Sequence, residues 1–121
     1  MYDNIDERGA FMIPSQMLKG VLEGAILKVI QQEETYAYEI SNTLQTFGFG
    51  EIAEGTIYPI ILRLQSNQYI KGEFRPSKSG PNRKYYHITQ AGEEFLEDFQ
   101  ENWEQLNQAI HNLWGDHNEK I

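Results

Sequence analysis

A chain of 121 residues suffices for one domain with one buried core, and the lack of cysteine excludes disulfides, thiolate zinc sites and cysteine nucleophiles while agreeing with a reducing compartment. No apolar run approaches the length that crosses a bilayer, and no basic start followed by an apolar segment opens the chain, so the expectation is a cytoplasmic protein without a membrane partner. The net charge of −8 argues against a nucleic-acid partner, but its distribution does not: residues 54–89 carry two acids and six bases, a net +4 between acidic flanks.

Residues 1–14 show no clear period, although Tyr2, Phe11, Met12 and Ile13 are apolar, and they are expected to form a partly anchored arm. From Ser15, the series Leu18, Val21, Leu22, Ala25, Ile26, Val29, Ile30 predicts one helix that is apolar over more than one face and so touches a core, a partner, or both. The acidic turn Gln31-Gln-Glu-Glu34 ends it. Thr35 is expected to cap a second helix with the stripe Tyr36, Ile40, Leu44 and Phe47, which Gly48 stops.

After a short loop comes Glu54-Gly-Thr-Ile-Tyr-Pro-Ile-Ile-Leu-Arg-Leu-Gln65, in which Ile57, Ile61 and Leu64 form an apolar stripe while Thr56, Tyr58, Pro59 and Arg63 point elsewhere. Proline is comfortable only in a first helical turn, so the helix is expected to begin near Gly55 or Thr56, with Thr56 as its cap. Two helices joined this way make a helix-turn-helix candidate, and the second has the small, hydroxylic start and following arginine of a helix that enters a major groove. Its alternative is an ordinary amphipathic surface helix.

Two β-rich runs follow, 69–75 and 83–89, separated by the turn-forming segment Pro76-Ser-Lys-Ser-Gly-Pro-Asn82. This is a hairpin with a basic tip. Three helices and such a hairpin describe a winged helix, whose wing lies along the backbone or reaches into a minor groove. Thr89 is expected to cap the last helix. There Leu96, Phe99, Trp103, Leu106, Ile110 and Leu113 are spaced by 3, 4, 3, 4 and 3 residues, the pattern of a helix that packs along another helix.

The enzyme inventory is poor. His87 lies in a β-run, His111 and His117 are six residues apart and do not share a helix face as metal ligands, and Gly48-Phe-Gly50 is too short for a phosphate loop. No serine has a supporting histidine and carboxylate, and nothing calls for a cofactor. The groove contacts expected are Thr56, Tyr58 and Arg63, with Pro59 shaping the helix start. Lys78, Ser79, Gly80 and Asn82 make the wing tip, Arg83 and Lys84 are phosphate candidates, and Tyr38 can reach a phosphate by its hydroxyl. Read alone, each has a bland alternative: Tyr58 half-buried, Arg63 paired with an acid, Arg83 and Lys84 solvating the hairpin, Tyr38 and Trp103 packing.

Three motifs together, Tyr36-Ala-Tyr-Glu-Ile40, Glu54-Gly-Thr-Ile-Tyr-Pro-Ile-Ile-Leu-Arg-Leu64 and Gly80-Pro-Asn-Arg-Lys-Tyr-Tyr-His-Ile-Thr89 followed by Gly92, resemble the PadR family of winged-helix transcriptional regulators across Met17 to Leu113. Ala37 departs from the family's usual glycine. The resemblance implies a homodimer of winged helices, built on the first and last helices, that represses transcription and can be released by a small molecule. The single final helix is similar to the short, multidrug-efflux branch, for which Ile13-Pro14, Met17-Leu18 and Trp103 are a weaker signature. That branch implies a slot for planar aromatic effectors lined by Met17, Trp103 and Asn107, where the branch has an acid in place of Asn107.

The expected fold is therefore mainly α with a β-hairpin wing: an arm over 1–14, a winged helix-turn-helix over 15–89 and a C-terminal dimerisation helix over 90–121. Leu18, Leu22, Leu96, Phe99, Trp103, Leu106, Ile110 and Leu113 are the expected dimer interface. The function expected is that of a sequence-specific regulator, a repressor bound as a homodimer to an inverted repeat in double-stranded DNA. The competing expectation is a winged helix used for protein interaction without DNA binding. An enzyme and a purely structural dimeriser rank below both, the latter because it leaves the basic wing without a purpose.

Overall fold

Helical spacing of isoleucine and leucine over the first half of the chain assembles three helices around one core, and the hairpin and last helix close its side. The computed structural model describes residues 13–78 and 80–115, in the order α1 (Ser15–Leu18), α2 (Leu22–Gln32), α3 (Ala37–Thr46), α4 (Glu54–Ser66), β1 (Ile70–Ser77), β2 (Gly80–Ile88) and α5 (Gln90–Trp114). Ile26, Leu27, Ile30, Ile40, Leu44, Ile57, Ile61, Leu64 and Ile70 are fully buried, so α2, α3, α4 and the root of the hairpin share one core. This is a mainly α winged helix-turn-helix with an antiparallel two-stranded wing. Most of the expected arm, residues 1–12, lies outside the described residues, as do Ser79 and His117.

Several local expectations are corrected. The first helix is two, because residues 19–21 turn at the weak helix former Gly20, with the Val21 amide donating to the Leu18 carbonyl at 2.8 Å. Thr35 does not cap α3. Its backbone is recruited to the hairpin instead, exchanging hydrogen bonds with Tyr86 at 2.8 and 3.4 Å, and its hydroxyl is buried without a partner among the described residues. Phe47 leaves the expected stripe and is 69% exposed, since α3 ends at Thr46 and Gly48 takes a φ of +106° that turns the chain. The hairpin is longer and its turn tighter than the two β-rich runs suggest: Ser77 already pairs with Gly80, and Pro76 sits at a register irregularity between Arg75 and Ser77, where a strand tolerates a missing amide.

The last helix starts where expected, the Thr89 hydroxyl accepting from the Gly92 amide at 3.0 Å. Its first turns lie on the body: Leu96 is buried, Phe95 stacks on Tyr69 at 4.6 Å, and Phe99 fills the space beside Gly24, where any added methyl would overlap its ring. Beyond Phe99 the helix projects from the subunit, every residue from 100 to 114 being exposed. The expected interface therefore divides. Leu18, Leu22 and Leu96 are 6%, 3% and 5% exposed and belong to the subunit's own core, which leaves them almost no surface for a partner, and Phe99 is spent largely on Gly24. Trp103, Leu106, Ile110 and Leu113 remain uncovered.

Candidate nucleic-acid interface

Helix α4 begins at Glu54, one or two residues earlier than the proline suggests. Ala53 is the cap residue and its side chain makes no capping bond, so Thr56 is the third helical residue rather than the cap, its amide donating to the Ala53 carbonyl at 2.9 Å. Pro59 is then the sixth residue of the helix and has no amide to offer the Gly55 carbonyl one turn back. Gly55 is itself exposed, with nothing within 4 Å of the position a Cβ would take. The result is a helix start without a side-chain bond from its cap residue and with a bare backbone at Gly55, and Thr56, Tyr58 and Pro59 all stand exposed on its first two turns. Gly55 is the feature that reading side chains alone passes over.

Tyr58 is 48% exposed and its phenol neighbours Tyr86, the buried tyrosine of β2. Burial pushes the Tyr86 phenol above the usual tyrosine range, and Tyr58 adds to the shift, so Tyr86 stays protonated.

Bases in the +4 block separate into two groups. Arg63 donates from Nε to Glu23 of α2 at 3.4 Å, and Arg75 is paired with Glu34 at 2.7 Å and with Glu73 at 3.6 Å. Lys71, Lys78, Arg83 and Lys84 have no carboxylate within ion-pair distance among the described residues. Arg63 is thereby drawn back towards α2, away from Tyr58, although an exposed pair of this kind is worth only about 0–1 kcal/mol and yields to a stronger anion. Glu34 is held below the usual carboxylate range by the hydrogen bond from Arg75 and then by its charge. The pair is accordingly intact at neutral pH and is lost only as pH falls through that lowered value.

The wing carries the unpaired group. Lys78, Gly80, Asn82 and Arg83 lie near or at its tip, and Lys84 lies across Gly72 with its ammonium 5.4 Å from the Phe74 ring and 5.9 Å from that of Tyr86. Arg83 stacks over Tyr36 at 4.6 Å, and Tyr36 meets Tyr85 edge-on at 5.2 Å. Tyr38 is 57% exposed in the first turn of α3, which like α4 has no side-chain cap. Uncapped starts of α3 and α4, the exposed Tyr38, Thr56 and Tyr58, and the cationic wing are the groups a nucleic-acid backbone and its bases would need.

Met17, Trp103 and Asn107 are exposed in the single chain and form no enclosed slot by themselves, Trp103 at 42% and Met17 at 72%. His87 is half-buried in β2 and His111 is exposed on α5, and no group of three or more acids and histidines able to hold a metal occurs among the described residues. None of the described helices is long and apolar enough to cross a membrane.

Comparison with known proteins agrees with this geometry. A PadR-like transcriptional regulator of Bacillus cereus is 50% identical, superimposes with a TM-score of 0.75, and is matched over 84% of this chain and 98% of its own. A Streptococcus transcriptional regulator is 44% identical with a TM-score of 0.74, over 84% and 100% of the two chains. The fold also matches that of Bacillus subtilis PadR, solved in complex with operator DNA, at 24% identity and a TM-score of 0.60 over 66% of this chain and 46% of that one. An uncharacterized protein of Lysinibacillus sphaericus is 31% identical over 101 residues, 82% of this chain and 93% of the relative. Residues 26–98, from the middle of α2 into α5, match the PadR-like family of transcriptional regulators, and the chain belongs to that family of regulators rather than to any class of enzyme.

Proposed function

We propose that the chain is a cytoplasmic repressor that binds an inverted repeat in double-stranded DNA as a homodimer. The start of α4 enters the major groove, Thr56 and Tyr58 facing base edges and Pro59 keeping the first turns open. Arg63 joins them in the groove once it gives up Glu23. Lys78, Ser79, Gly80, Asn82, Arg83 and Lys84 of the wing, with Tyr38 at the start of α3, hold the backbone.

The observation that supports this most is the sorting of the bases. In a protein of net charge −8, four of the six described lysines and arginines without an acid at ion-pair distance, Lys71, Lys78, Arg83 and Lys84, lie on the wing, the others being Lys19 and Lys28. A winged helix used only for protein contacts has no need of that arrangement. Replacing Lys78 and Arg83 by alanine is expected to weaken binding to every duplex and to flatten the dependence of log K on log salt by about 0.9 for each phosphate no longer neutralised, measured by anisotropy. Unchanged affinity would remove the wing from the interface, and absence of salt-dependent binding in the parent protein would favour the protein-interaction reading.

Dimerisation is supported by the uncovered seam of α5, and an effector slot by Trp103 at its near end. In a dimer, paired indoles with Met17 and Asn107 would wall a flat aromatic space at the centre. Asn107 carries no charge, so planar aromatic compounds are expected to bind with little preference for cations. Titrating planar dyes should quench tryptophan fluorescence in the wild type and not in Trp103→Ala, with Trp114 as the remaining emitter. Quenching that survives the substitution, or never occurs, would leave Trp103 as a packing residue.

A further inference from the structure

Strand register places Arg75 directly opposite Arg83, an arrangement of like charges that a two-stranded sheet ordinarily disfavours. The conflict is resolved by an aromatic pair between them. Arg83 lies 4.6 Å over Tyr36, Tyr36 meets Tyr85 at 5.2 Å, Arg75 lies 4.7 Å over Tyr85, and Arg75 ends the stack on Glu34 at 2.7 Å.

We propose that Tyr36 and Tyr85 are positioning residues for DNA binding, holding Arg83 in place for a phosphate while diverting Arg75 into an internal ion pair. This rests on the reading of the wing as a DNA contact. Tyr36 can serve as a fixed platform because its backbone is held on both sides: the Ile40 amide donates to its carbonyl at 3.0 Å, opening α3, and the preceding Thr35 is bridged to Tyr86. Tyr85 stands on the strand next to Tyr86, which is 2% exposed and anchors that strand in the core. A guanidinium stacked by its face keeps its in-plane N–H donors free, the geometry that reads phosphate in bidentate fashion. Arg83 is exposed and has no acid partner among the described residues, so its donors are open. Arg75 has the opposite fate. Glu34 stays ionised at neutral pH under its influence and, with Glu73, spends its charge inside the subunit. Ordering one arginine before the encounter lowers the entropy lost on binding, and silencing its neighbour limits attraction to any duplex regardless of sequence.

Anisotropy titrations of the full-length protein against a labelled duplex from upstream of its own gene, and against a scrambled duplex, test the proposal. Tyr36→Leu is expected to weaken binding about three- to fivefold, which is the value of an exposed cation–π contact, while Tyr36→Phe retains the ring and the wild-type affinity. In an Arg83→Ala background, Tyr36→Leu is expected to cost nothing further. Glu34→Gln combined with Glu73→Gln, both at exposed positions, removes both carboxylate partners of Arg75 and should steepen the salt dependence by about 0.9 on both duplexes. Thermal melts of each variant accompany the titrations, because loss through unfolding lowers affinity equally in both backgrounds. If Arg83→Ala binds as the wild type does, the role of the wing itself fails. If Arg83→Ala weakens binding but Tyr36→Leu is silent, or its effect adds in full to that of Arg83→Ala, the wing still meets DNA and the positioning role is overturned. An unchanged salt slope when Glu34 and Glu73 are both replaced by Gln overturns the diversion of Arg75.

Discussion

Leu106→Asp is expected to leave the chain monomeric at micromolar concentration, where the proposed homodimer would otherwise form, and to abolish tight operator binding with it. Leu106 is 51% exposed in the single chain, in line with Trp103 at 42%, Ile110 at 44% and Leu113 at 74%. Around it, residues 105–114 contain no carboxylate, whereas Glu93, Glu94, Glu97, Asp98, Glu101 and Glu104 crowd the part of α5 before it. The projecting end is thus uncharged and apolar on one side, the composition of a surface covered by a partner. Losing one buried leucine costs about 2–3 kcal/mol, and a two-fold interface contains it twice, so the dissociation constant should rise about a thousandfold or more. Sedimentation read beside a thermal melt separates the outcomes. A folded protein that stays dimeric would place the interface elsewhere, and two recognition helices about 34 Å apart, one turn of the duplex, would no longer follow from α5.

Gly55→Ala is expected to move stability and DNA binding in opposite directions. Apart from its chain neighbours and the nearby backbone of its own helix, no atom of the described residues lies within 4 Å of the missing Cβ, and the backbone there is helical without a positive φ, so packing gives no reason for glycine. Alanine should stabilise the helix by about 0.5–1 kcal/mol. If the helix start approaches a phosphate backbone, the added methyl stands between them, and operator affinity should fall by about tenfold or more. A melt and an anisotropy titration on the same sample read both signs. Stability that rises while binding is untouched would mean that α4 does not meet DNA by its start.

Elements of this fold that are set locally are legible in the residues. Gly48 stops α3, Thr89 opens α5, the Pro76–Asn82 segment marks the hairpin, and the apolar period of α4 gives its buried face. Features set by distant partners are not. Arg63 pairs with a glutamate 40 residues away, and Thr35 is claimed by a strand that only the hairpin brings alongside. The opposition of Arg75 and Arg83 depends on register, which the residues alone leave open until the strands pair. Likewise the period from Leu18 to Ile30 continues through Gly20, so an uninterrupted helix is the natural reading of a chain that breaks there.

Equilibrium binding of the wild-type protein to duplex from upstream of its own gene, compared with scrambled duplex of equal length across 50–200 mM salt, tests the central claim most directly. Three wing cations per subunit, Lys78, Arg83 and Lys84, make about six phosphate contacts in a dimer, so log K should fall with log salt with a slope of about −5. The upstream duplex should bind about a thousandfold or more tighter than the scrambled one. Equal affinity for the two duplexes, or no binding to either at 50 mM salt, would contradict the account.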